Sequence, residues 1–428
     1  MQKGFLSGKH NTELKSRGII TFYISAIMMV VLPVYHWYIP PFMILWGLLW
    51  LVELRLKIFY WVNIEKKHKL LFILFLLFYG WQIIGMIYSD NPKEGWRNIE
   101  LRLSLLLFPL VLISPGSMIK SKLVSLLRLF SLATFAFILV CFGYALYRSL
   151  SLLNGIIVFN PHPPVDNWLN YFYGSEFAIF QHPSYLSMFL LFAIIIAFES
   201  MLDKAVRMIY RSYWLIISII LLLSIYLLSS RAEILAAIIT IPVYFLFKFR
   251  GSGKKRLIIL SAIVGLFILI PVLVSNPRFK YYMQIGKETE LTAKMLNESR
   301  LSIWKVALKI IKENPVLGVG TGDIQDELNK EYSLSGSNDL NVSNNINAHN
   351  QFLEIILENG LIGLLLFISI LLVMFSIAWS EQNILYLMFL LIVVFSFLFE
   401  TMLNRLAGVS FFSLFSFLLL HINSKKIN

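Results

Sequence analysis

The sequence is short of charge, of cysteine and of any pattern of metal ligands. Asp, Glu, Lys and Arg make up 14% of its 428 residues, against roughly 25% in soluble domains. Cys141 is its one cysteine and lies inside an apolar run. A disulfide framework or a Cys-based metal site is therefore excluded, and the thiol reads as inert packing. No group of His, Asp and Glu stands at zinc-ligand spacing along the chain, and no Asp-x-Asp sits at the mouth of an apolar run, so a metal site is not indicated. There is no internal repeat, no low-complexity tract and no polar stretch with the make-up of a soluble domain.

What is present is apolar sequence, 58% hydrophobic with a mean hydropathy of +0.74. Runs close to membrane-spanning length recur from end to end, which gives an all-α polytopic membrane protein. About twelve transmembrane helices are expected, near 19–34, 38–53, 70–88, 101–114, 123–147, 184–200, 213–230, 232–247, 257–274, 360–378, 384–400 and 406–422. The first run has no small-residue cleavage site and reads as an uncleaved span. Residues 1–428 form a single integral membrane domain on this reading.

The net charge of +13 is a matter of topology. With the N-terminus placed inside, the short inner loops and tails hold 22 of the 37 Lys and Arg residues, as cytoplasmic segments do. An even number of spans puts both termini in the cytoplasm, and a nucleic-acid role falls away. Of the segments left on the outer side, two are long enough to fold, 148–183 and 275–349. The second is a long polar loop whose Ser/Asn-rich part, SLSGSNDLNVSNNINAHN (333–350), reads as a mobile loop. Polar chemistry gathered into one external loop points to work at the membrane surface.

Within that loop, RLSIWKVALKIIKENP (300–315) is an amphipathic helix. Arg300, Trp304, Ala307 and Ile311 fall within about 60° of one another, and Lys305, Lys309 and Lys312 lie opposite. Arg300 is thus either a side chain snorkelling from an interfacial helix or a cation reaching an anionic substrate group. Asn314-Pro315 stops the helix and the turn GVGTGD (318–323) follows, without the strand context of a dinucleotide fingerprint. His349 stands at the start of the next helix, with Asn347 or Asn350 as its cap. It either begins the helix with no chemical role or accepts a proton from a hydroxyl nucleophile. Arg231 sits in the tight turn SSRAE (229–233), where its partner is Glu233 or a headgroup on one reading and a phosphate on the other. His182, in FQHPSYLSMFL (180–190), and Arg102, in WRNIELRLSLLLFP (96–109), are secondary candidates. Pro183 makes a helix-start role equally fitting for His182, and Arg102 with Glu100 reads as a local ion pair.

SSRAE, SRLSIWKVALKIIKENPVLGVGTGD (299–323) and AHNQFLEIILENGLIG (348–363) together resemble the O-antigen ligase superfamily, which includes O-antigen polymerases. The resemblance covers roughly residues 180–420 and does not choose among members. It implies a metal-independent, inverting glycosyltransferase of the bacterial inner membrane, with no cofactor and with its active site on the periplasmic face. The donor would be a glycan on undecaprenyl diphosphate and the acceptor a lipid A–core sugar hydroxyl, or a second lipid-linked glycan in a polymerase. Arg231 and Arg300 would hold the diphosphate, and His349 would orient or deprotonate the acceptor. A lipid-linked glycan flippase or transporter is the alternative of another class, but the middles of the expected spans are essentially free of charge.

Overall fold

A computed structural model describes residues 19–55, 64–115, 117–163, 169–250, 300–334 and 345–422. The expected span 257–274 and the centre of the Ser/Asn-rich stretch lie outside them. Fourteen α-helices occur among the described residues. The first nine are α1 (Ile19–Val34), α2 (Ile39–Arg55), α3 (Lys66–Ile87), α4 (Pro92–Leu101), α5 (Ser104–Leu112), α6 (Ser117–Ser149), α7 (Pro183–Leu202), α8 (Met208–Leu228) and α9 (Arg231–Lys248). They are followed by α10 (Arg300–Glu313), α11 (Ile324–Leu334), α12 (Gln351–Ser380), α13 (Ile384–Phe399) and α14 (Leu406–Leu418). Five of them, α3, α6, α7, α8 and α12, are long and apolar enough to cross a bilayer, and several shorter apolar helices pack among them.

An apolar helix with no polar face must be enclosed on every side or face lipid. Both solutions occur. Every residue of α14, and every residue of α7 from Tyr185 to Phe198, is buried. The two meet through aromatic rings, Phe189 against Phe411 at 4.8 Å and Phe192 against Phe415 at 5.0 Å between centroids. The α3 helix instead turns Leu70, Ile73, Leu77 and Ile84 outward, as a lipid-facing helix does.

The connections gather at two ends of the bundle. At one end Lys67 reaches Ser376 and Ser380, Arg128 pairs with Asp203, Lys248 with Glu199, and His421 Nε2 lies 2.8 Å from the Leu112 carbonyl. At the other, His36 meets Gln181, Arg148 pairs with Glu176, and Arg102 bonds Asn404. The stretch 101–114 is the shortest of the expected spans. Its helix, α5, has only nine residues, yet it runs beside α14 from the Arg102–Asn404 end to the Leu112–His421 end.

The all-helical expectation needs one correction. Segment 148–183 carries an antiparallel hairpin, β1 (Leu150–Leu153) and β2 (Ile156–Phe159), paired from Leu150–Phe159 to Leu153–Ile156. Its loop is Asn154-Gly155, with φ of 52° and 79°. Two consecutive positive φ values make the tight hairpin turn whose twist suits paired strands, and Asn-Gly is the dipeptide that adopts it most readily.

Candidate functional site

The corner between α13 and α14, which carries a short 3-10 helix at Met402–Asn404, is where distant parts of the chain meet. Its backbone is held from three sides. The Asn350 amide donates to the Leu398 carbonyl at 3.1 Å, Leu403 N–H donates to Gln351 Oε1 at 2.7 Å, and the buried Tyr185 hydroxyl donates to the Thr401 carbonyl at 3.2 Å. A buried corner without such partners would leave peptide groups unsatisfied, at a cost of several kcal/mol in a lipid-facing bundle.

Glu400 projects from this corner and accepts from His349 Nδ1 at 2.9 Å. Burial pushes the Glu400 carboxyl up. The hydrogen bond and charge of His349, with help from His182 and the Thr401 N–H, more than offset it and hold the group below its ordinary value. His349 is itself half-buried, 35% exposed at its side chain, and takes a left-handed φ of 45°. That conformation costs a non-glycine residue of order 1 kcal/mol and persists only where its surroundings impose it. Here Asn347 Oδ1 accepts the His349 N–H at 3.0 Å, and Asn350 caps α12 by accepting from Phe352 and Leu353. The cap is therefore Asn350, the second of the two expected residues, and His349 precedes it.

Two further contacts bring the amphipathic helix to this loop. Trp304 Nε1–H donates to the Ala348 carbonyl at 3.0 Å, which places α10 directly beside His349. One turn earlier, the Arg300 guanidinium lies over the Phe399 ring, 5.6 Å from its centroid. The spacing Arg-x-x-x-Trp thus lets one helix face deliver a cation and a hydrogen-bonding anchor together. The buried face of α10 is Ile303, Ala307 and Ile310, with Trp304 and Ile311 half-buried and the three lysines exposed. Arg300 was expected on the inward stripe; it is exposed at the edge of that stripe.

Arg231 opens α9, after a turn in which Ser229 takes a left-handed φ of 56°. The expected tight turn between two apolar helices is present. Glu233, which the sequence offered as a partner for Arg231, accepts instead from Ser396 Oγ of α13 at 2.5 Å. That bond ties the start of α9 to the last turn of α13, four residues before Glu400. His182 is the N-cap of α7, accepting from Ser184 N–H at 3.4 Å, so its helix-start role is real. It also lies close enough to Glu400 to act on its charge.

Arg102 is the candidate that most departs from expectation. It does not pair with Glu100. It is 3% exposed and donates to Glu358 at 2.5 Å, Gln82 at 3.2 Å and Asn404 at 2.8 Å, while Asn404 donates to Glu354 at 2.6 Å. A buried guanidinium needs such an enclosure, and removing one partner from a buried ion pair costs about 3–5 kcal/mol. Arg102 is a positioning residue that locks α12 to the α13–α14 corner.

The Gly-rich turn has a similar structural part. Val319 and Gly320 N–H donate to the Leu357 and Glu358 carbonyls, and Asp323 accepts from the Asp90 and Asn91 N–H groups. The turn meets α12 where that helix breaks at Gly360, with φ 61°. A Cβ on Gly360 would collide with the Val316 carbonyl. The glycines therefore serve backbone-on-backbone packing.

A cavity of about 910 Å³ with both polar and apolar walls opens beside the site, lined by Arg102, His182, Asn347, Glu354, Asn404 and Arg405 among others. Among the described residues one cluster has metal-ligand geometry: Glu65, His68 and Glu381, with donor atoms within 4.8 Å, at the opposite end of the bundle. Sequence spacing hid it because His68 and Glu381 are 313 residues apart. Sequence reading likewise missed Glu400. Its one signal was a lone carboxylate at the end of an apolar run.

Residues 216–368 match the protein family described as O-antigen ligase. This match takes in Arg231, Arg300 and His349, and stops before Glu400. A protein of Haemophilus influenzae (strain ATCC 51907 / DSM 11121 / KW20 / Rd), described as uncharacterized, is 24% identical over 382 residues, covering 85% of this chain and 84% of its own. Over the matched segment and the motifs within it, this chain is similar to the O-antigen ligase family.

Proposed function

We propose that the protein is a membrane glycosyltransferase that moves a glycan from undecaprenyl diphosphate to a sugar hydroxyl, at the periplasmic face of the bacterial inner membrane. The observation that carries this reading is the meeting of His349, Arg300 and the α9 start around the last turn of α13 and the corner after it, where Glu400 stands. In the reaction, the acceptor oxygen attacks the anomeric carbon and the bond to the diphosphate oxygen breaks, with inversion. With Nδ1–H donated to Glu400, His349 keeps its Nε2 lone pair for the acceptor proton. This is the arrangement by which a carboxylate fixes a histidine tautomer and supports the imidazolium that forms. Arg231 and Arg300 hold the diphosphate as its charge grows, a task suited to fixed guanidinium donors. No metal or cofactor enters this scheme.

The acceptor is a lipid A–core sugar in a ligase and a second lipid-linked glycan in a polymerase. Deletion of the gene separates them. Lipopolysaccharide from a ligase mutant lacks all long-chain material on a gel, whereas a polymerase mutant keeps single-repeat attachment. Ala substitution of Arg300 or His349 is expected to leave the protein level in the membrane unchanged and to abolish glycan transfer; normal lipopolysaccharide ladders from both variants reject the reading.

A further inference from the structure

We infer that the 910 Å³ cavity beside the His349–Glu400 pair is a glycan subsite selective for an acidic sugar, with Arg405 as the residue that binds the sugar's negative group. This rests on the transferase reading for the identity of the occupant as a glycan. The cavity lies between the α1–α2 turn, α4, the start of α7 and the α13–α14 corner, and its lining has the chemistry of carbohydrate recognition. Amides line it from four separate segments, and the ring of Trp37, 62% exposed, stands at the rim. Gln181 is engaged at both ends, by His36 and Leu32. Asn98, Gln325 and Asn347 each use one end, to Thr321, Asn329 and His349, and keep the other without a partner among the described residues. Amides supply paired donors and acceptors for hydroxyls, and an aromatic face covers the apolar side of a sugar ring.

Its ions are sorted. Arg97 pairs with Glu94 and Arg102 with Glu358. Glu354 is occupied by the Ala348 N–H and Asn404. Two ions of the lining have no hydrogen-bonded or ion-pair partner among the described residues, Arg405 and Glu100, and they work on different walls. The charge of Arg405 acts on His36 and Tyr185, that of Glu100 on Tyr79. The wall formed by His36, Gln181, His182 and Arg405 is therefore the cationic one, and it adjoins Glu400. Burial, and then Arg405 itself, lower the His36 basicity against the opposing bond from Gln181, which leaves Arg405 as the fixed cation of that wall. An unpaired guanidinium on the wall of a half-enclosed cavity is matched by a carboxylate or phosphate in bidentate contact.

The test is calorimetric titration of the full chain in phosphatidylcholine nanodiscs with trigalacturonic acid and with maltotriose, an acidic and a neutral trisaccharide. The acidic sugar is expected to bind about tenfold more tightly or better, the gain typical of one charge-assisted pair. Arg405→Gln erases that preference and leaves maltotriose affinity unchanged, which also shows that the variant is folded; Arg405→Lys keeps part of it. Four outcomes overturn the inference: no binding of either sugar, no preference between them, a preference that survives Arg405→Gln, or one lost to Arg300→Gln instead. Displacement of trigalacturonic acid by phosphatidylglycerol in the nanodisc also overturns it, since the cation would then belong to a lipid headgroup. Neither sugar carries a diphosphate, so this titration reads the cavity without turnover. The glycan-transfer phenotype of the Arg300 and His349 variants reads the reaction separately.

Discussion

At the scale of single residues, the site turns on which atoms of His349 are free. Glu400 occupies Nδ1, and the left-handed backbone at His349 aims the ring at it. Replacing Glu400 with Gln keeps the shape and removes the charge, so the imidazole loses both the partner that sets its tautomer and the counter-charge for its protonated form. Transfer is expected to fall by roughly 10- to 100-fold, the usual cost of removing a residue that orients an active group, with protein level unchanged. The same substitution has a signature in pH. The folded-state carboxyl titrates below its ordinary value of 4.5, so the pair's contribution to stability is fully present above that value. It is lost as pH falls through the depressed one. Thermal unfolding in detergent from pH 6 to pH 3 should therefore show the wild type ahead of Glu400→Gln at pH 6, the gap closing only at the acid end. A constant gap across the range refutes the assignment. Arg102 shows the other use of charge. Its two terminal nitrogens are held by Gln82, Glu358 and Asn404, which fixes the corner from which Glu400 projects.

At the scale of elements, the site depends on backbone meeting backbone. The GVGTGD turn lies across the break in α12 at Gly360, and its N–H groups take the carbonyls that the break releases. Gly360→Val adds a side chain at a positive φ and against the Val316 carbonyl. The expected loss is about 2–4 kcal/mol, from strain and overpacking combined, read as a lower unfolding temperature and less protein in the membrane. Because α10 leads directly into this turn, transfer per molecule should fall as well. The apolar helices were legible because bilayer length and hydropathy are local properties of the chain. The tight Ser229–Arg231 turn was legible for the same reason, and the cap of α12 was legible as one of two residues, Asn347 or Asn350. Partners were not. Nothing local tells Arg102 to choose Glu358, 256 residues away, over Glu100, two residues away; burial decides it, since α4 ends at Arg102 and points it inward. The Asn154-Gly155 hairpin was written in the sequence and was masked by the strongly apolar residues around it, Leu150–Leu153 and Ile156–Phe159.

At the scale of the whole molecule, the two ends of the bundle differ in kind. One gathers His349, Glu400, Arg300, the Arg102 network and the cavity; the other carries Lys67, Lys120, Arg128 and Lys248 with the Glu65–His68–Glu381 cluster. Short basic segments stay in the cytoplasm, so the proposed orientation has the second end inside and the first in the periplasm. On the transferase reading a diphosphate-linked glycan and its acceptor would then meet at that face, while α7 and α14 are enclosed within the bundle. The lone cysteine makes this orientation measurable. Cys141 is buried and can be replaced with Ala, leaving a background on which single cysteines report sidedness. Asn345→Cys lies at the His349 end and Ser121→Cys at the opposite end, both at exposed positions. In intact spheroplasts a membrane-impermeant maleimide should label Asn345→Cys at once and Ser121→Cys only after permeabilisation. The reverse pattern would put the site in the cytoplasm, where a donor glycan displayed in the periplasm cannot reach it. The transferase reading would fall with its orientation.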